Sequence, residues 1–122
     1  MAKKNIMIVD DEESLLELLG AILDGEGYEV TKANSGEECI EKLKTEKPDL
    51  VLLDMMMPGM SGREVCENIR KNPATKNLKV AFITVAKFSD SGKETLKKMN
   101  VLDYITKPFD NADLIKRVKK ML

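Results

Sequence analysis

Five polar side chains stand where short strand-forming runs end. Asp10 and Asp11 follow Ile6-Met7-Ile8-Val9, Asp54 follows Leu50-Val51-Leu52-Leu53, Thr84 follows Val80-Ala81-Phe82-Ile83, and Lys107 follows Asp103-Tyr104-Ile105-Thr106. A continuous aliphatic run bounded by turn residues reads as a strand buried on both faces, as at the centre of a parallel sheet. All strand ends of such a sheet lie on one edge, the edge where open α/β sheets bind ligands. Residues as far apart in sequence as Asp10 and Lys107 then share one pocket. Three carboxylates crowded together cannot all stay ionised without a compensating cation. Oxygen donors and high charge density favour Mg²⁺, which keeps several waters and needs only one or two carboxylates. A carboxylate nucleophile, Mg²⁺, a lysine ammonium and a threonine hydroxyl make a phosphoryl-transfer site in which Asp54 becomes an acyl phosphate. Taken singly, each residue has a plainer reading: Asp10 and Asp11 as helix caps, Thr84 as a strand residue, Lys107 as a solvated loop lysine. The joint placement at matching strand ends favours the chemical reading.

The elements that must position these residues follow from local pattern. The first strand, Asn5 to Val9, leads through Asp10-Asp11-Glu12-Glu13 into a helix with Leu15, Leu18, Leu19, Ile22 and Leu23 on one face, the spacing of a helical stripe. Gly25 and Gly27 end it, and Tyr28 to Ala33 alternates as an edge strand does. Ser35-Gly36-Glu37-Glu38 and Ser61-Gly62-Arg63-Glu64 are capping boxes. They open a helix with Cys39, Ile40 and Leu43 inward and a helix running to about Arg70. Lys47-Pro48-Asp49 and Asn72-Pro73 are turns, and Pro58-Gly59 follows the central strand. A third box, Ser91-Gly92-Lys93-Glu94, begins a short helix with Leu96 and Met99 inward. Asp110 caps a last helix whose Leu114, Ile115, Val118, Met121 and Leu122 share a face. Five βα repeats predict a single α/β domain over residues 1–122, a (βα)5 doubly wound parallel sheet with right-handed crossovers. The flavodoxin-like order 2-1-3-4-5 is taken by analogy and suits the second strand, the least apolar, as an edge.

Bulk properties narrow the classes of function. The chain has 122 residues, 43% hydrophobic and 34% charged, with a net charge of -1, which gives no global field toward nucleic acid or an anionic membrane. Charge is uneven: residues from Lys87 onward carry nine Lys/Arg against five Asp/Glu, leaving 11 against 16 before them. That pattern predicts an acidic site early in the chain and a basic surface late. Cys39 and Cys66 lack metal-type spacing, and the chain has no His, so two buried thiols in a reducing compartment are expected. No apolar run approaches a membrane span and no signal-peptide core opens the chain, so a cytoplasmic protein is expected.

At these residues the sequence resembles a known family. Asp10-Asp11, Asp54 within Leu53-Asp54-Met55-Met56-Met57-Pro58-Gly59-Met60-Ser61-Gly62, Thr84, Tyr104 and Lys107-Pro108-Phe109 are similar, in order, to the motifs of two-component response-regulator receiver domains. The resemblance covers essentially the whole chain. It implies a phosphoacceptor Asp54 assisted by Thr84 and Lys107. It also implies Mg²⁺ held by Asp11, Asp54 and the Met56 backbone carbonyl, with Asp10 acting partly through water. A Thr84–Tyr104 switch and a cis Lys107–Pro108 bond are implied as well. Three positions depart from the family pattern: Val85 replaces the usual small residue, and Asn100-Val101 replaces a Gly-Ala pair.

The implied partners are a histidine kinase or phosphotransfer protein as donor and a downstream target or effector domain as recipient, with a phosphorylation-dependent homodimer as one output. Direct nucleic-acid or membrane binding is not expected. The basic face of Lys93, Lys97, Lys98, Lys116 and Lys120 is the expected partner surface. The domain is read as no enzyme, assisting only its own phosphorylation and dephosphorylation. A phosphorylation-independent interaction module is the alternative. An aspartyl-phosphate phosphatase of the haloacid-dehalogenase type would place an Asp-x-Asp nucleophile after the first strand, and Asp10-Asp11-Glu12 lacks that spacing. An FMN-binding flavodoxin would need a Ser/Thr/Gly nest where this first loop is acidic.

Overall fold

Alternation within each aliphatic run decides where the helices go. In β1 (Asn5–Val9), Met7 and Val9 face one side of the sheet, while Ile6 and Ile8 face the other, as the pleat requires. The computed structural model describes residues 3–85, 92, 94 and 97–122. After β1 come α1 (Glu13–Gly25), β2 (Glu29–Ala33), α2 (Gly36–Lys42), β3 (Leu50–Leu53), α3 (Gly62–Lys71), β4 (Lys79–Thr84), β5 (Val101–Thr106) and α4 (Asn111–Met121). The five strands pair in parallel in the order β2-β1-β3-β4-β5. On one face Met7, Val9, Val51, Leu53, Val80 and Phe82 pack against Cys39 of α2 and Val65, Cys66 and Ile69 of α3. On the other, Ile6, Ile8, Leu50, Leu52, Ala81 and Ile83 meet Leu16, Leu19 and Leu23 of α1 and Leu114 and Val118 of α4. This is the doubly wound flavodoxin-like sheet. Among the described residues, no helix is long and apolar enough to cross a membrane.

Local chemistry sets the ends of the elements. Ser35 Oγ accepts from the Glu38 amide at 3.0 Å, Ser61 Oγ from the Glu64 amide at 3.2 Å, and Asp110 from the Asp113 amide at 2.9 Å. Each satisfies one amide that a helix start leaves without an internal partner. Of the third capping box and its helix, Ser91, Lys93 and Leu96 lie outside the described residues, while Gly92, Glu94, Lys97 and Lys98 are helical. Burial holds the Cys39 thiol up at about 12, and Cys66, also buried, is raised chiefly by desolvation.

Three features differ from the sequence pattern. The inward stripe of α1 is Leu16, Leu19 and Leu23, with Leu15 and Ile22 half-buried beside it, whereas Leu18 is 47% exposed. Leucine on both sides of Glu17 offers two overlapping stripes, and the packing of α1 on β1 and β2 selects one. β5 starts at Val101, earlier than its Asp103-to-Thr106 pattern shows, because it holds a bulge: Val80 pairs with Val101, but Phe82 pairs with Tyr104. One strand therefore spends an extra residue over the same span. Arg70 is the third. Its guanidinium donates to the carbonyls of Met99 (2.7 Å), Lys76 (3.0 Å), Leu78 (2.6 Å) and Asn100 (3.2 Å), tying α3 to the approaches of β4 and β5. Asn100 itself has φ 57°, a left-handed conformation that asparagine tolerates better than most residues. That accounts for Asn standing where the family pattern has glycine.

The stripe of α1 can be tested directly. Leu16→Ala should destabilise the domain by about 2–5 kcal/mol. Leu18→Ala should stay within about 0.5 kcal/mol. Urea unfolding of both variants measures the difference, and equal losses would contradict the observed face.

Candidate functional site

Ladder hydrogen bonds carry each strand one residue past its aliphatic run and so fix where the polar residues begin. The Asp10 amide donates to the Ala33 carbonyl (3.2 Å), the Asp54 amide to Val9 (3.0 Å) and the Lys107 amide to Thr84 (2.9 Å). Asp10, Asp54 and Thr84 are thereby held inside the protein at 1%, 4% and 0% exposure. Asp11, one residue further along, is exposed.

The two buried carboxylates divide their oxygens in the same way. Oδ1 of Asp10 accepts from the Glu12 amide at 2.9 Å, and Oδ1 of Asp54 accepts from the Met56 amide at 3.1 Å. Each closes a turn on its own chain two residues on. The Oδ2 atoms face Lys107, whose Nζ lies 2.6 Å from Asp10 and 3.4 Å from Asp54. Asp11 completes the group: carboxylate oxygens of Asp10, Asp11 and Asp54 lie within 4.8 Å of one another. One ammonium among three carboxylates leaves the pocket short of positive charge.

The electrostatics follow from this geometry. Burial pushes the Asp54 carboxyl up from its usual value; the Met56 amide and the Lys107 charge pull it down, the Asp10 charge pushes it up, and a hydrogen bond from Thr84 pulls it down. The net shift is upward. Burial alone would pull Lys107 down, but its hydrogen bond to Asp10 and the charges of both aspartates raise it overall. Lys107 therefore stays an ammonium. An expectation from charge alone is that removing either Asp10 or Asp11 relieves repulsion, and the structure separates the two. Asp10 is the closer partner of Lys107 and the acceptor for Glu12, so its loss leaves the Glu12 amide without that acceptor and Lys107 with only the more distant Asp54.

The remaining sequence-predicted residues are placed as follows. Met56 engages Asp54 through its amide, and its side chain is 60% exposed. Tyr104 is half-buried against the α2–α3 side of the sheet, opposite Phe82. Alternation along β4 puts Thr84 on the same face as Phe82, so Thr84 and Tyr104 are diagonal neighbours. The Lys107–Pro108 bond is cis.

Two residues that the sequence reading names only within capping boxes or a motif turn out to support the site. A Cβ at Gly62 would lie 2.2 Å from the Asp54 carbonyl oxygen and 2.7 Å from Met55 Cα, so only glycine lets α3 start this close behind Asp54. The Gly62 amide donates to the Met55 carbonyl at 3.0 Å. Glu37, at the start of α2, accepts from the Met60 amide at 3.0 Å and holds the other limb of that loop. The Gly-Ala contrast at Gly62 has no sequence signal beyond the glycine itself.

Residues 6–119 match the family model described as the response regulator receiver domain. The chain belongs to that family. This receiver domain is 40% identical over 119 residues to the alkaline phosphatase synthesis transcriptional regulatory protein PhoP of Bacillus subtilis (strain 168), an alignment covering 98% of this chain and 48% of PhoP. It spans about half the length of the curated relatives it matches. Among solved structures it resembles chemotaxis protein CheY4 of Vibrio cholerae, with a TM-score of 0.91, 27% identity, and coverage of 99% and 100% of the two chains. It also resembles response regulator TrrA of Thermotoga maritima in complex with Mg²⁺-BeF, with a TM-score of 0.82, 39% identity and 98% and 99% coverage. Receiver domains are signalling domains of two-component systems.

The upward shift of Asp54 has a sign. A carboxyl raised in the folded state contributes stability below its unfolded pKa, and loses it as pH rises through the folded pKa. At neutral pH and without divalent cation, Asp54→Asn should therefore stabilise the domain by on the order of 1 kcal/mol. The difference in Tm from the parent should shrink as pH falls toward about 4. A variant less stable at neutral pH would show that ionised Asp54 supports the fold.

Gly62→Ala tests the close approach. It should destabilise by about 1–3 kcal/mol through the forced shift of the Asp54–Met55 backbone. Thermal unfolding reads this, and an unchanged Tm would mean that the approach can relax without cost.

Proposed function

We propose that the domain accepts a phosphoryl group on Asp54 from a histidine kinase or phosphotransfer protein and relays the change through its surface. The observation that carries this reading is the single pocket in which Asp10, Asp54 and Lys107 meet, with the Oδ2 of Asp54 turned toward an ammonium rather than toward a backbone amide. In the transfer, a bond forms between an Asp54 oxygen and phosphorus while the donor's phosphorus–nitrogen bond breaks, and the donor imidazole keeps the electron pair. Lys107 can follow the negative charge from Asp54 onto the phosphoryl oxygens, because it already sits between two carboxylates. Thr84, fully buried beside Asp54, offers its hydroxyl to another of those oxygens.

The donor set suits Mg²⁺: hard oxygens, one exposed carboxylate at the mouth, and too little positive charge inside. Asp10, Asp11, Asp54 and the Met56 carbonyl would hold it, Asp10 partly through water. When bound it neutralises charge and so admits an anionic donor. TrrA in its Mg²⁺-BeF complex supports the assignment by similarity.

Propagation runs through Thr84 to its diagonal neighbour Tyr104. Movement of Thr84 toward the phosphoryl group opens space for the ring to turn inward. The readout surface is the face near β5, where Lys97, Lys98, Lys116 and Lys120 are exposed. The recipient is a separate target or an effector domain, a homodimer being one form of output. This reading places the domain in the cytoplasm.

Acetyl phosphate with Mg²⁺ should add one phosphoryl mass, read by intact-mass spectrometry. Asp54→Ala should abolish the gain, and EDTA should suppress it. Beryllofluoride should move amide resonances around Tyr104 as well as in the pocket. Equal labelling of Asp54→Ala, or labelling indifferent to EDTA, would overturn the assignment. An interaction module independent of phosphorylation would show no mass gain at all.

A further inference from the structure

Methionine supplies four of the six residues from Met55 to Met60, and the fold treats them differently. Met57 is 9% exposed, Met55 and Met60 are half-buried against the α2–α3 side of the core, and Met56 is 60% exposed. Of the other described methionines, Met7 is fully buried and Met99 and Met121 are half-buried. Met56 is thus the most open thioether among the described residues. Its backbone is part of the pocket: the Met56 amide donates to Asp54 Oδ1 at 3.1 Å, and the thioether stands in solvent two residues beyond that carboxylate. Val85, 61% exposed, follows Thr84 on the neighbouring strand. Two of the four large apolar side chains exposed in the described structure therefore lie within two residues of Asp54 or Thr84.

An exposed thioether is a substrate for peroxides, and oxidation follows exposure. The sulfur lone pair attacks one peroxide oxygen, a sulfur–oxygen bond forms as the oxygen–oxygen bond breaks, and the second oxygen leaves as water after proton transfer. Sulfur is oxidised to the sulfoxide and the peroxide is reduced. A poor hydrogen-bond acceptor becomes a strong one, on a residue whose amide already closes on Asp54. Hydrolysis of an acyl phosphate requires a water held in line with the phosphorus–oxygen bond, and an acceptor at the mouth can hold it. We infer that Met56 is a peroxide-modification site whose sulfoxide shortens the life of the phosphoryl group on Asp54. The kinetic half rests on the function proposed above; the site selectivity does not.

Treatment with limiting hydrogen peroxide followed by peptide mapping should place the first added oxygen on Met56, ahead of Met7, Met55, Met57 and Met60. The domain loaded from acetyl phosphate should then lose its phosphoryl group roughly three- to tenfold faster after oxidation, tenfold corresponding to 1.4 kcal/mol in the barrier. Met56→Leu should decay at one rate with or without peroxide, and Met56→Gln, with a standing polar acceptor, should decay faster than Met56→Leu. A methionine sulfoxide reductase should restore the slower decay. Oxygen arriving first at a buried methionine would overturn the site, and equal decay of native and oxidised protein would overturn its effect. Failure of the untreated domain to gain the phosphoryl mass would strike the proposed function and the kinetic half together, while the mapping would still decide the site.

Discussion

One ammonium shared by two buried carboxylates organises this molecule. Lys107 lies 2.6 Å from Asp10 and 3.4 Å from Asp54, and none of the three is more than slightly exposed. Leaving any one of them buried without the others would be expensive, since a desolvated charge requires a partner. The constraint reaches through the sheet, because the three residues end β1, β3 and β5 while β4 lies between the last two. Their convergence fixes how far each strand extends. It also explains why the ladder continues one residue beyond each aliphatic run: the polar residue must be anchored by its backbone before its side chain can be aimed.

Below that edge, the fold is a means of keeping the strand ends in register. The central strands are sealed on both faces, β3 entirely so, and a slip of one residue would exchange the two cores. Gly62 and Glu37 then hold the loop beyond Asp54 from behind and from the side. Asp10 and Asp54 are consequently sealed inside, and among the described residues Asp11, Met56 and Val85, their neighbours in sequence or at the next strand end, meet solvent.

Much of this was legible in the residues. Double burial leaves uninterrupted aliphatic runs, so β1, β3 and β4 announce themselves, and the polar residues that end them stand out by contrast. Serine and aspartate caps are equally visible, because their chemistry is local. What escaped has a common cause. Leu16 and Leu18 differ in burial only through the docking of α1, which helical spacing does not determine when leucines fill two adjoining stripes. The bulge in β5 depends on cross-strand pairing. The bonds of Arg70 end on backbone carbonyls, which carry no residue identity to read. In the pocket, the residue types predicted a charged cluster, but the division of labour between Oδ1 and Oδ2 of each aspartate emerges only once the turns have closed. Asn100 was visible as a departure and became intelligible through its φ of 57°.

The fork of Arg70 gives the sheet a polarity of a different sort. At the end where the strands finish, a deficit of positive charge makes the local structure answerable to protons and counter-ions. At the end where β4 and β5 begin, the Arg70 guanidinium is matched to neutral backbone carbonyl oxygens. Protons and counter-ions therefore address the crowded charges of one pole, while the other rests on bonds to neutral backbone groups. The two poles are thus insulated from each other by chemistry: solution conditions act on the charges at one end, and the bonds of Arg70 at the other offer them no carboxylate to act on.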